Sequence, residues 1–95
     1  MFAELAKLFF EEKTKAFDIA CEIFERLSKE KKLYLSEFKT KFLHQYVVRK
    51  LKRIGIVKVG RETKTKRGRV TYRYYIKPNS SYIEKLIGLL RLLGG

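Results

Sequence analysis

Arg49 and Arg53 stand four residues apart in the run Val47-Val48-Arg49-Lys50-Leu51-Lys52-Arg53-Ile54, whose apolar spacing is that of a helix. Burying Val47, Leu51 and Ile54 turns Gln45, Tyr46, Arg49, Lys50 and Arg53 outward, with the two guanidinium groups one turn apart. A guanidinium is a rigid fork of donors suited to planar anions, and an ammonium such as Lys50 or Lys52 is a point charge suited to phosphate. A second basic group, Lys64-Thr65-Lys66-Arg67-Gly68-Arg69, follows in a polar stretch that offers nothing apolar to pack on. The chemistry these residues can do is anion recognition.

Other chemistry finds little support. His44 is the single histidine and has no second ligand at metal spacing, so it reads as a surface or helix-terminal residue. Cys21 is the single cysteine, which excludes an intrachain disulfide and a cysteine-rich metal site. Its neighbours Ile19, Ala20, Ile23 and Phe24 make it a small core residue. Glu11, Glu12, Glu22 and Glu25 alternate with lysines and form a solvated face rather than an acid/base pair. No glycine-rich phosphate loop and no nucleophile with a partner base is present, so no enzyme, cofactor or metal is expected.

The distribution of charge strengthens the anion reading. Between Lys39 and Lys77 there are 14 Lys/Arg against Glu62 alone, and the remainder of the chain carries nine of each sign. The net charge of +13 therefore resides in one segment. Solubility alone would spread it; segregation is the footprint of a polyanion.

The elements that position these groups can be read in order. Residues 2–31 are helical by pattern, and the polar run 11–15 favours a break, with Thr14 capping a second helix. Leu33-Tyr34-Leu35 suits a short strand. Ser36 reads as the cap of a helix over 37–42 that buries Phe38 and Phe42, followed by a tight turn at 43–44. The arginine-bearing helix is expected over 45–54, closed by Gly55. Residues 56–62 and 70–76 are β-branched and aromatic and predict a hairpin with a basic tip at 63–69. On its second strand Tyr72 and Tyr74 share one face, opposite Arg73 and Tyr75, and one face is expected to pack on the first helical region rather than to stack on bases. Ser81-Tyr82-Ile83-Glu84 matches a capping box that opens a last helix. The fold class is α+β, mainly α with a small hairpin, in one domain over 1–95.

This order resembles the winged helix-turn-helix family over about residues 17–77. The resemblance rests on Ser36-Glu37-Phe38, on the run from Val47 to Val57 with its Gly55 cap, and on the charged hairpin. The turn at 43–44 is shorter than is usual in that family. The resemblance implies a double-stranded DNA-binding regulator whose helix 45–54 enters the major groove while the wing, 61–73, lies on the backbone or in the minor groove. The residues expected at DNA are Gln45, Tyr46, Arg49, Lys50, Lys52 and Arg53 on the helix, and Arg61, Lys64, Lys66, Arg67, Arg69 and Arg73 on the wing. Arg49 and Arg53 could fork onto guanine and Gln45 could pair with adenine. An RNA- or ribosome-associated winged helix, and a non-specific architectural DNA-binding protein, are the alternatives.

Ninety-five residues bury only about 60–65% of the unfolded surface, so a partner subunit is the expected source of further stability. Leu5 and Phe9 near one end, and Ile83, Leu86, Leu90 and Leu93 near the other, are more apolar positions than one core stripe needs. A symmetric homodimer through residues 1–15 and 79–95, around a DNA-binding core of 16–78, is the expectation. No apolar run reaches the roughly 18–20 residues of a membrane span, and no secretory leader is expected, so the expected location is cytoplasmic, on the nucleoid.

Overall fold

The computed structural model describes residues 2–94. The fold consists of four α-helices and one three-stranded antiparallel sheet: α1 (Phe2–Lys7), α2 (Lys15–Glu30), β1 (Leu33–Tyr34), α3 (Phe42–Ile54), β2 (Val57–Lys66), β3 (Arg69–Pro78) and α4 (Ser80–Gly94). The sheet order is β1-β3-β2.

The helical region 2–31 breaks where its polar run predicts. The Phe17 amide donates to Thr14 Oγ1 at 3.1 Å, and that hydroxyl donates back to the Glu11 carbonyl at 2.7 Å. A threonine side chain thus satisfies an otherwise orphaned amide at the start of α2. From there α2 buries Ala20, Ile23, Phe24 and Leu27, a three-and-four spacing that keeps one stripe inward.

The segment between β1 and α3 departs from expectation. In place of a helix over 37–42 there is a single 3-10 turn, Leu35–Phe38, and α3 begins at Phe42 rather than at 45. Too few residues separate Tyr34 from Lys41 for two full helical turns and a reversal. Phe38 is buried as expected, but Phe42 opens α3 and is 81% exposed. His44, expected in a tight turn, lies in the first turn of α3 and stacks on Phe38 with ring centroids 5.6 Å apart.

Gly55 closes α3 in the left-handed region at φ 100°, and its amide donates to the carbonyls of Leu51 and Lys52. Only a residue without Cβ takes that conformation without strain, and it turns the chain directly into β2. The hairpin is longer and its turn tighter than expected. Strand pairing runs without interruption from Val57↔Pro78 to Lys66↔Arg69. The reversal uses Arg67 and Gly68 alone, at φ 52° and 77°. Positive φ at both central residues is the two-residue turn whose twist matches that of the strands.

At the far end of β3 the Asn79 amide donates to the Ile56 carbonyl at 2.8 Å, and its side chain donates to the Gly55 carbonyl at 2.9 Å. These bonds tie the base of the hairpin to the cap of α3. α4 starts at Ser80, so Ser81 is not its cap; the Asn79 carbonyl accepts from Ile83 at 3.0 Å and the Ser81 hydroxyl donates to the Asn79 side chain. The fully buried side chains Ile23, Leu33, Val47, Leu51, Ile56 and Ile76 come from α2, α3, the loop after it and all but one strand of the sheet. Their packing fixes α3 against the root of the hairpin. The two hairpin strands β2 and β3, each about 34 Å long at ten residues, reach well beyond that core.

Candidate nucleic-acid interface

The outward face of α3 carries Phe42, Gln45, Tyr46, Arg49, Lys52 and Arg53, a set without an acid. It exists because Val47, Val48 and Leu51 hold the opposite face in the core. Among the described residues Arg49, Lys52 and Arg53 form no ion pair, so their charge is uncompensated by protein.

Two expected contact residues are occupied elsewhere. The Gln45 amide nitrogen donates to the carbonyls of Phe38 at 2.7 Å and Lys39 at 2.8 Å. Reading adenine needs that nitrogen as a donor, and both of its hydrogens are spent on closing the 3-10 turn, so Gln45 is a structural cap. Lys50 lies at the edge of the outward face. Its ammonium donates to the Phe9 carbonyl and sits 4.5 Å from the centroid of the Phe10 ring. It fastens the α1–α2 connection to α3 instead of standing free for a phosphate.

The pairing register makes the hairpin two-faced. Directly opposed residues share a face. Val59 and Ile76, Arg61 and Tyr74, Thr63 and Tyr72, and Thr65 and Val70 lie on the side that continues from the core toward α3. Glu62 and Arg73, Lys64 and Thr71, and Lys66 and Arg69 lie on the other. The wing cations expected from sequence therefore divide. Arg61 is on the α3 side, its guanidinium 4.6 Å from the centroid of Tyr72. Lys64, Lys66 and Arg69 are on the reverse side and Arg67 is in the turn, all exposed.

Arg73 is half-buried on the reverse side, its guanidinium 3.8 Å over the Tyr34 ring. Beside it Tyr34 and Tyr75 meet edge to face at 6.2 Å. Glu62, the one acid of the basic segment, accepts from the Tyr34 hydroxyl at 3.0 Å and pairs with Lys32. The Lys32 hydrogen bond, then the Tyr34 one, hold the Glu62 carboxyl below its ordinary value, and the same bond to Glu62 raises Lys32. The sole negative charge of this segment is thus neutralised within the protein.

Between α3 and the hairpin is a cleft of about 450 Å³, lined by Leu35, Val48, Arg49, Lys52, Val59 and Tyr74 among others. The expectation that a tyrosine-bearing face of β3 packs on the first helical region is not met. Tyr75 packs on Tyr34, and Tyr72 and Tyr74 are 50% and 48% exposed. Phe42, Tyr72 and Tyr74 are thus surface aromatics beside the cations, which hydrophobicity alone assigns to a core. For the tyrosines the alternation Val70-Tyr72-Tyr74-Ile76 itself points to a packed face, so the strand pattern does not mark them as open.

The remaining candidates are unremarkable chemically. Cys21 is half-buried, and burial followed by the nearby Asp18 pushes its thiol up, away from the reactive thiolate. Among the described residues no group of three or more His, Cys, Asp or Glu could hold a metal. No helix among them is long and apolar enough to cross a membrane.

The residues expected at a dimer interface also divide. Leu5 is 3% exposed and belongs to the protomer's own core, so it has no surface to offer a second copy. Phe9, Ile83, Leu86 and Leu90 are half-buried against that core. Leu93, with Leu89 and Leu92, is open, at 86%, 54% and 82%. Among the described residues α4 contains none that is fully buried.

Comparison of the chain with family models, with curated proteins and with solved structures returned no match.

Proposed function

We propose that the chain is a winged-helix protein that binds double-stranded DNA as a non-enzymatic transcriptional regulator. In this reading α3 enters the major groove and the β2–β3 hairpin lies along the backbone or minor groove. The observation that carries it is the acid-free surface made by α3 and the hairpin face turned toward it, on which Arg49, Lys52 and Arg53 are unpaired among the described residues, while Glu62, on the reverse face, is neutralised internally. A duplex, with one phosphate charge per about 1.7 Å, is the polymer that such a rigid, extended cationic surface matches. Arg49 and Arg53 are the proposed base readers; Lys52, Arg61, Lys64, Lys66, Arg67 and Arg69 are the proposed backbone contacts.

The protein acts as a homodimer through the open leucines of α4, which brings two α3 helices to one side of the duplex. The distribution of charge supports this arrangement: α1 and α4 are nearly neutral, so two copies can meet there without bringing their basic segments together.

The test is binding of a pool-selected duplex, a random duplex and a structured RNA at matched salt. A selected duplex bound at least about 10³-fold tighter than random DNA supports a specific regulator. Equal binding of the two duplexes makes the protein architectural. Tighter binding of the RNA overturns the reading, because the A-form major groove does not admit α3.

A further inference from the structure

Resting on the DNA-binding reading above, we infer that the cleft between α3 and the hairpin is a site for an unpaired nucleobase, with Tyr74 as its stacking platform. The ligand class is DNA that contains a locally opened or single-stranded step, in addition to the duplex held by the cations.

Tyr74 is the residue around which the site is built. It lines the cleft together with Val59, on its own sheet face, and with Val48, Arg49 and Lys52 of α3. The chamber is mainly apolar, and its cations come from the helix side. A nucleobase has the same division, an apolar π-face joined to a charged backbone, and base–aromatic stacking tolerates any sequence. A paired base keeps its faces inside the duplex stack and presents only its edges, so an aromatic face in a cleft has no use for it.

The fold leaves Tyr74 open for a specific reason. The β3 positions on this face run Ile76, Tyr74, Tyr72 and Val70, and core packing ends at Ile76, which is fully buried, while Tyr74 is 48% exposed. Tyr72, one step further out, already carries the Arg61 guanidinium 4.6 Å from its ring centroid. That pair lies beyond the cleft on the same hairpin face, and it places a cation where the strand of an inserted nucleotide would pass. Tyr75, on the reverse face, is used in packing against Tyr34. Of the three tyrosines of β3, Tyr74 is the one with its ring in the cleft.

The experiment compares three probes by fluorescence anisotropy at matched salt: a random duplex, the same duplex with a central mismatch bubble, and that bubble with 2-aminopurine at its centre. The bubble should bind about tenfold tighter than the duplex, the scale of one stacked base. Tyr74→Ala should abolish that preference and leave duplex affinity unchanged, which also shows that the variant folds. Tyr74→Phe should retain the preference, since stacking needs the ring and not the hydroxyl. The 2-aminopurine fluorescence should be quenched by the native protein and by Tyr74→Phe but not by Tyr74→Ala. Equal binding of duplex and bubble, or a bubble preference that survives Tyr74→Ala, overturns the stacking site while duplex binding stands. Loss of binding to both probes in the native protein overturns the DNA-binding reading instead.

Discussion

The Tyr34 hydroxyl donates to Glu62 Oε2 at 3.0 Å, joining the short first strand to the hairpin on the face turned away from α3. Lys32 completes the arrangement by pairing with the same carboxylate. The consequence is that an acid sits within the basic hairpin without weakening its field. Tyr34 thereby links a structural contact to the electrostatics of the whole surface.

This arrangement has a pH signature. Glu62 is depressed below 4.5 by Lys32 and Tyr34, so its contribution is present above that value and is lost as pH falls through the folded-state pKa. Lys32 is raised above 10.5, so its part holds through neutral pH and is lost only as pH rises through its own folded value. The melting-temperature gap between the native protein and Glu62→Gln should therefore shrink on acidification. A carboxyl titration followed by NMR that places Glu62 at or above 4.5 contradicts the arrangement.

Gly60 makes a different test of the same face. A Cβ there would stand 2.4 Å from Tyr75 Cζ, because the Tyr75 ring lies across the glycine. Gly60→Ala should destabilise the protein by about 1–3 kcal/mol as Tyr75 is forced away from Tyr34. Urea denaturation gives the figure; an unchanged midpoint would mean that the ring moves freely.

Lys50 and Arg53 are neighbours on α3 with opposite expected behaviour. Lys50→Ala should cost about 1 kcal/mol of stability, through the lost Phe9 and Phe10 contacts, and leave the salt dependence of DNA binding unaltered. Arg53→Ala should leave stability nearly unchanged and weaken binding. A reversed pattern would return Lys50 to the DNA surface.

The association surface is testable without disturbing the protomer, since Leu92 and Leu93 are 82% and 86% exposed. The native chain should sediment as a dimer, and the double variant Leu92→Glu, Leu93→Glu as a monomer with native secondary structure. A monomeric native chain contradicts the proposed assembly.

Much of the frame was legible in the sequence because it rests on local rules. Gly55 after an apolar-periodic helix, Thr14 within a polar run and alternating strand residues each act over a few positions. The segment 35–44 departs from expectation because it depends on contacts between elements: Gln45 on α3 donates to the carbonyls of Phe38 and Lys39, which engages its amide at the 3-10 turn, and α3 begins already at Phe42. Lys50 was misread for a similar reason, since its partners Phe9 and Phe10 are distant in sequence. The hairpin extends further than its apolar residues indicate because Thr63-Lys64-Thr65-Lys66 is polar yet paired along its length. Its strict alternation is nonetheless a strand's, and it places threonines on one face and lysines on the other. The half-open Tyr72 and Tyr74 could not be read from composition, because where the core ends along β3 is set by the length of β1 and the position of α3.

The most direct test of the central claim is the affinity for random duplex DNA at about 50 and 200 mM salt, for the native protein and for the triple variant Lys64→Ala, Lys66→Ala, Arg67→Ala. The account predicts a native affinity that falls about 10³–10⁵-fold across that range, as for six to ten phosphate contacts, and a distinctly shallower slope for the variant. A native affinity insensitive to salt, or a variant with the native slope, would contradict the assignment of this basic surface to DNA.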